Sequence, residues 1–198
     1  GTSNAVCHTT QTGTDNEALV DCTSAPAADF AEMYPMSQDA EVGDVVALGP
    51  EQVNTYETVG NVIDWSKVKG KISKLVKANT AYQANAIGIV SDNYGDFIST
   101  GYNIKPEDNP KSVALVGRVL VKVTTENGAI QAGDFLTSSS TIPGAAMRAT
   151  KAGPIIGQAL TSYSGSSTGK IMVFVKATNY DGVRIEKQIA GLNFNYSS

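Results

Sequence analysis

The apolar positions of the chain fall mostly in short runs that are rich in β-branched residues and bounded by Gly, Pro, Asn or Asp. Such runs are typical of β-strands. In the longest run, Val119, Val121 and Val123 alternate with Leu120 and Lys122, as expected for a strand with one buried face. The runs cover residues 42–48, 86–90, 113–123 and 170–176. The pattern predicts an all-β fold, either a barrel or a sandwich.

Helical spacing is clear at only one place. Phe30, Met33 and Tyr34 are spaced i, i+3 and i+4, which would place them on one face of a helix. Pro35 follows at once and would end such a helix. We therefore expect one short helix near residues 28–34.

An internal repeat runs through the β-rich part of the chain. Each unit has a Gly-Asp pair, then a basic residue followed by Ala, then an Ile-Gly pair. The first unit carries Gly43-Asp44, Lys77-Ala78 and Ile87-Gly88, and the second carries Gly133-Asp134, Arg148-Ala149 and Ile156-Gly157. The pattern predicts a duplicated three-strand unit. The first unit is longer because of an insertion around 50–73, which contains the single tryptophan, Trp65.

The two ends of the chain differ from this central domain, which we place at residues 25–178. Cys7 and Cys22 enclose a polar segment, so residues 1–24 are predicted to form a β-hairpin. A disulfide between the cysteines would stabilise it by about 3 kcal/mol. The alternative is two reduced cysteines. The tail, 179–198, has apolar residues that would pack on the domain or on a neighbouring chain, unless the tail is a linker to a further module.

Composition and charge exclude several classes of protein. The chain has 15 Lys and Arg against 19 Asp and Glu, a net charge of −4, which does not suit a general nucleic-acid binder. No apolar run is long enough to insert in a membrane. One histidine and two cysteines exclude a conventional zinc site. The low charge and the abundance of Ser, Thr, Gly and Asn favour an extracellular or surface location, as part of a longer exported protein.

The densest candidate for chemistry is a pair of acidic residues in the predicted helix. Asp29 and Glu32 are three residues apart and would lie on one helical face. Two close carboxyl groups can divide the roles of acid and base, and here they would act on a nearby peptide bond through water or the hydroxyl of Ser24. The alternative is structural, with Asp29 capping the helix and Glu32 completing a capping box.

Two further features indicate possible ligands. Asp92, Asn93 and Asp96 offer oxygen atoms to a calcium ion, although the EF-hand spacing is missing. The alternative is a loop whose side chains bond their own backbone. No other cofactor is expected. Tyrosines in or near predicted loops could stack on surface glycans, and these are Tyr82, Tyr94, Tyr102, Tyr163 and Tyr180.

The ordered set of these motifs resembles a known family. It is similar to the self-cleaving, intramolecular-chaperone domain at the C-terminus of phage pre-neck appendage and tail-spike proteins. Similar modules occur in large bacterial surface proteins, including those of the candidate phyla radiation. The resemblance covers about residues 27–177 and is carried by segments 28–34 (ADFAEMY), 42–46 (VGDVV), 87–91 (IGIVS), 113–119 (VALVGRV), 133–136 (GDFL) and 155–160 (IIGQAL).

The resemblance implies a β-rich fold, frequently trimeric, that helps a fibrous protein assemble. Asp29 and Glu32 match the acidic motif next to which the phage domains cut their own chain, but Pro35-Met36-Ser37 follows here in place of the usual aromatic or acidic stretch. We therefore expect a non-enzymatic folding, oligomerisation or adhesion module that forms homo-oligomers, most simply trimers. The alternatives are a single-turnover autoprotease that cuts near Ser24 or further upstream, and a carbohydrate-binding module.

Overall fold

The computed structural model describes residues 29–59, 62–92 and 104–181, together with the backbone of two short strands nearer the N-terminus. These strands, β1 (Val6–His8) and β2 (Leu19–Asp21), pair antiparallel with Cys7 opposite Val20. The pairing agrees with the predicted N-terminal hairpin. Cys22, and with it the predicted disulfide, lies outside the described residues, as does the tail after Asp181.

The described part of the chain is all-β, as predicted. One large sheet contains nine strands, and within the described ranges no α-helix is present. A single 3-10 turn covers Pro106–Asp108. The strands are β3 (Asp29–Tyr34), β4 (Val45–Val59), β5 (Val62–Lys77), β6 (Ala86–Val90), β7 (Lys111–Val123), β8 (Phe135–Ser138), β9 (Ala146–Arg148), β10 (Gly153–Ala159) and β11 (Gly169–Tyr180).

Part of the sheet closes on itself. The strand order is β11-β10-β8-β9-β7-β6-β4-β5, with β3 paired to β7. Because β11 also pairs with β7, the strands β7, β11, β10, β8 and β9 form a ring. The ring is completed by a parallel contact between Val123 and Ala146. The main core combines residues of the ring strands with residues of β4 and β6, and includes Val45, Ile89, Val121, Leu136 and Val173, all fully buried.

The helix predicted near 28–34 is wrong. Residues 29–34 form β3, which pairs antiparallel with β7 from Asp29 opposite Gly117 to Tyr34 opposite Lys111. A two-turn helix is marginal by itself, whereas the side of β7 offers a row of backbone hydrogen-bonding groups. The burial of Asp29 and Ala31, with Phe30 exposed between them, follows the two-residue period of a strand.

The duplicated three-strand unit is borne out by the register of the strands. In the first unit Val46 pairs with Lys77 on β5 and with Gly88 on β6. In the second unit Leu136 pairs with Arg148 on β9 and with Gly157 on β10. The residues that the repeat equates by sequence are therefore the residues that occupy equivalent places in the sheet.

The Gly-Asp turns of the two units also match in detail. The Asp44 carboxylate accepts a hydrogen bond from the Glu41 amide at 2.9 Å, and the Asp134 carboxylate accepts one from the Gln131 amide at 2.8 Å. Gly43 and Gly133, which precede the aspartates, have φ angles of 98° and 91°. Only glycine adopts this conformation without strain, which explains the repeated Gly-Asp pair.

The predicted insertion in the first unit is a long β-hairpin. β8 and β9 contain four and three residues, whereas β4 and β5 contain 15 and 16. The extra length, residues 49–59 and 62–74, is called the arm below. It carries Trp65.

Candidate functional site

The most unusual polar residue in the described structure is Asp29, at the start of β3. Its side chain faces inward and is 7% exposed. Neither carboxyl oxygen has a hydrogen-bond partner of normal geometry among the described residues. Burial raises the pKa of Asp29 to about 6; a nearby Ser91 hydroxyl opposes the rise and the negative charge of Asp92 adds to it. A carboxyl group with such a pKa exchanges its proton near neutral pH.

Asp44 shows what a buried carboxylate requires when it stays ionised. It is fully buried, with Lys77 at 3.1 Å and a second, shorter ion pair to Lys122. Burial alone would raise the pKa of Asp44, but hydrogen bonds from Lys122, the Glu41 amide and Lys77 outweigh it and lower the pKa. Asp29 has no such partner of opposite charge affecting its pKa, so the two buried aspartates behave in opposite ways.

Glu32 does not share a face with Asp29. Residues three apart in a strand point to opposite sides, so the pairing expected from a helix is wrong. Glu32 is half-buried and lies near Tyr34, whose pKa is raised by burial and by the negative charge of Glu32. Ser24 lies outside the described residues. Acid-base catalysis at these positions therefore stays a prediction. Among the three residues, only Asp29 has a described environment that would suit it.

The calcium prediction is only partly covered by the structure. Asp92 is described, but Asn93 and Asp96 are outside the described ranges. Among the residues that are described, no group of three or more His, Cys, Asp or Glu is arranged to hold a metal ion. A calcium site in this loop stays a prediction.

The described loop tyrosines are engaged in contacts within the domain. The Tyr82 hydroxyl accepts hydrogen bonds from the amides of Thr150 and Lys151 at 2.7 and 3.1 Å. The Tyr163 hydroxyl donates to the Ser167 carbonyl at 2.8 Å. The Tyr180 ring packs on Phe135, with centroids 4.9 Å apart. Tyr94 and Tyr102 lie outside the described residues. The described tyrosines therefore stabilise loops and strand ends.

Sequence reasoning missed a stripe of apolar side chains on the outer face of the sheet. Leu120 on β7 lies opposite Met172 on β11, and Phe30 on β3 lies opposite Val116 on β7, so these side chains are neighbours. Each member is 37–43% exposed. The apolar stripe consists of Phe30, Val116, Leu120, Leu160, Met172 and Phe174. The signal was present in the sequence, because Leu120 is apolar at a position where alternation with the buried valines predicts a polar residue.

Two charged side chains lie among the members of the apolar stripe. Arg118 is exposed, lies between Val116 and Leu120 on β7, and is opposite Phe174 on β11; Lys176 is exposed on β11 and is opposite Val116. Arginine is enriched at the centres of interfaces and lysine is depleted there, so Arg118 suits the centre of an interaction surface better than Lys176 does.

Comparisons of the chain with models of known protein families, with curated proteins and with solved structures gave no match. In the part of the chain that the structure describes, no helix has the length and apolar character needed to cross a membrane.

Proposed function

We propose that the chain is a structural module for the folding and self-assembly of a longer exported protein of a cell surface or a phage-like fibre. The observation that carries this proposal is the apolar stripe on β3, β7 and β11. Contiguous exposed apolar side chains on a sheet face are unfavourable in water and favour association. The resemblance of the ordered motifs to intramolecular-chaperone domains supports the same function.

The position of Arg118 favours a ring of copies over a two-fold dimer. If two copies paired through the apolar stripe about a two-fold axis at its centre, near Arg118, the stripe would pack on itself and each Arg118 would lie near its counterpart. The two positive charges would repel each other in the centre of the interface. In a trimer with a three-fold axis, the stripe of one copy contacts a different surface of the next copy. We therefore propose a ring of copies, and we propose three because the domains that the chain resembles are frequently trimers.

The apolar stripe forms the centre of the proposed interface and not all of it. A stable interface buries about 800 Å² on each partner. Six side chains that are each about 40% exposed provide only part of that area. The surrounding polar residues of the sheet face must also make contact, as the rim of a normal interface does.

The test is the molar mass of the purified chain by light scattering after size-exclusion chromatography. We expect the wild-type chain to have a mass near three times 20.7 kDa, and the Met172→Lys variant to have the mass of a single chain. Thr178→Lys is the matched control, because Thr178 is exposed on the same strand outside the stripe. A wild-type chain that is monomeric at 100 µM, or a trimer that Met172→Lys leaves intact, would contradict the proposal.

Asp29 favours self-cleavage as a second candidate function. A buried carboxyl group with a pKa of about 6 can take up or release a proton at neutral pH, as an acid or base in peptide-bond hydrolysis does. The denatured mass of the wild-type chain, extended upstream, would then show two fragments that sum to the chain plus one water. Asp29→Asn would abolish the fragments and Thr178→Lys would not. An intact wild-type chain would exclude this function.

A further inference from the structure

The arm is an addition to the repeated unit, because the second unit has no counterpart of it. The second unit closes with β8 and β9, which pair over only three positions, from Leu136 opposite Arg148 to Ser138 opposite Ala146. The first unit makes the same pairing at Val46 opposite Lys77 and then continues outward. The far end of the arm exposes apolar side chains to water: Val59 is 62% exposed and Val62 is 71% exposed.

Trp65 is held in a fixed orientation near this end. Tyr56 pairs with Val68 and Glu57 pairs with Asp64, so the three residues between, 65–67, form a bulge out of the ladder. The Trp65 ring meets the Tyr56 ring edge to face, with centroids 5.2 Å apart at 71°. Tyr56 is itself buried and lies under the Lys105 ammonium group at 5.2 Å. The contact with Tyr56 covers at most one face of the indole, and Trp65 remains 44% exposed.

An open groove of about 540 Å³ lies beside the exposed indole. The lining combines Trp65 and aliphatic side chains with two charged groups, and consists of Val59, Val62, Ile63, Asp64, Trp65 and Lys67. The Asp64 carboxylate accepts a hydrogen bond from the Ser66 amide at 3.1 Å and lies 3.7 Å from the Lys67 ammonium group. The groove is thus lined by apolar side chains together with one ion pair.

The charged pair in the groove disfavours both ionic ligands and purely apolar ligands. Asp64 and Lys67 form an ion pair, so the groove has little net charge and does not favour an ionic ligand. An apolar helix or a lipid chain laid in the groove would remove both charged groups from water without replacing their hydrogen bonds, which is costly. Asp64 Oδ1 already accepts hydrogen bonds from both the amide and the hydroxyl of Ser66. Asp64 Oδ2 and the Lys67 ammonium group retain unused hydrogen-bonding capacity, since a carboxylate accepts about four hydrogen bonds and an ammonium group donates three.

A neutral sugar can contact both the exposed Trp65 ring and the charged pair of Asp64 and Lys67. One face of a pyranose ring presents C–H groups that stack on an indole, and the ring edge presents hydroxyl groups that both accept and donate hydrogen bonds. We propose that the groove on the arm binds a neutral oligosaccharide of hexose or N-acetylhexosamine units. A sugar ring would stack on Trp65, and its hydroxyl groups would bond to Asp64 and Lys67. The site is separate from the apolar stripe, so it adds adhesion to the proposed assembly function.

The chain contains one tryptophan, so its fluorescence reports on this groove directly. The probes are cellohexaose, maltohexaose and the hexamer of N-acetylglucosamine, each titrated to 10 mM into the full chain. We expect at least one probe to give a saturable change in the Trp65 emission. If none of the three changes the emission, the proposal is wrong.

Variants then distinguish a sugar bound in the groove from a sugar bound elsewhere that changes the Trp65 emission indirectly. By isothermal titration calorimetry, Trp65→Ala and Asp64→Ala should each weaken the probe that binds by at least tenfold. Val68→Ala is the matched control, because Val68 is exposed on the same arm, does not line the groove and is not part of the apolar stripe. If Trp65→Ala leaves the affinity unchanged, or Val68→Ala weakens it equally, the groove is not the site. Circular dichroism of each variant establishes that the sheet is retained. Light scattering distinguishes the two proposals, since Trp65→Ala should leave the oligomer intact.

Discussion

Replacing Asp29 by Asn should make the protein more stable at neutral pH. Asp29 is 7% exposed, and its carboxyl oxygens have no hydrogen-bond partner of normal geometry in the described structure, although the Ser91 hydroxyl lies nearby. The pKa of the group is raised from 3.8 to about 6. Asn has nearly the same shape and no charge, so the substitution removes the cost of burying an ionised group while it keeps the packing against β7.

The magnitude follows from the difference between the pKa values of the folded and unfolded chains. A rise from 3.8 to about 6 is roughly two pKa units, and each unit is worth 1.36 kcal/mol, so the total is about 3 kcal/mol. Between these two pKa values the folded chain holds a proton that the unfolded chain has lost. The stability of the wild type therefore falls as the pH rises from 4 to 6, and the whole cost is present above pH 7.

The assay is urea unfolding of both proteins at pH 4, 5, 6, 7 and 8, at one protein concentration. The difference in unfolding free energy between Asp29→Asn and the wild type should be about 0.5 kcal/mol at pH 4 and reach about 3 kcal/mol in favour of the variant above pH 7. Asp39→Asn is the control, because Asp39 is exposed, and it should change stability by less than about 0.5 kcal/mol throughout. A variant that is less stable than the wild type at pH 8 would refute the reasoning, because it would mean that the Asp29 carboxylate is stabilised by a partner.

Three further predictions concern the packing of the repeated units. Lys122→Met should lower the free energy of unfolding by about 3 kcal/mol, because it removes one cation from the fully buried Asp44; urea unfolding measures it. Gly88→Ala should lower the free energy of unfolding by about 1–3 kcal/mol in the same assay, because the added methyl group would overlap the backbone of β7. Gly70→Ala is the control and should leave the free energy of unfolding unchanged, because there is space for a methyl group at that position. Replacing residues 50–73 by an Asn-Gly turn should leave the β-sheet circular dichroism spectrum of the core intact; its loss would mean that the arm is part of the folding unit.

The sequence predicts most of the fold because the deciding signals are local. The Gly-Asp pairs at 43–44 and 133–134 fix the same turn twice, since the turn needs a positive φ followed by a carboxylate that bonds back to the chain. The alternation of Val119, Val121 and Val123 fixes which face of β7 is buried. Such turns and strand faces depend only on residues that are close in the sequence, so they can be predicted without knowing how the strands are ordered in the sheet.

The segment 29–34 could not be predicted in this way, because its conformation depends on β7. Helical spacing and strand spacing are both compatible with so short a stretch, and pairing with β7 decides between them. The burial of Asp29 is a further consequence of this pairing, since it depends on which side of β3 faces the core. The candidate site therefore arises from a contact between distant parts of the chain, and the sequence indicated only its acidic residues.

The proposed self-assembly is tested most directly by sedimentation equilibrium of the wild-type chain and the Met172→Lys variant over a range of concentrations. We expect the wild type to fit a monomer–trimer equilibrium or a stable trimer, and the variant to remain a monomer of 20.7 kDa at every concentration. A wild type that sediments as a monomer throughout would contradict the proposed function of the apolar stripe. The same conclusion would follow if the wild type and the variant had equal masses.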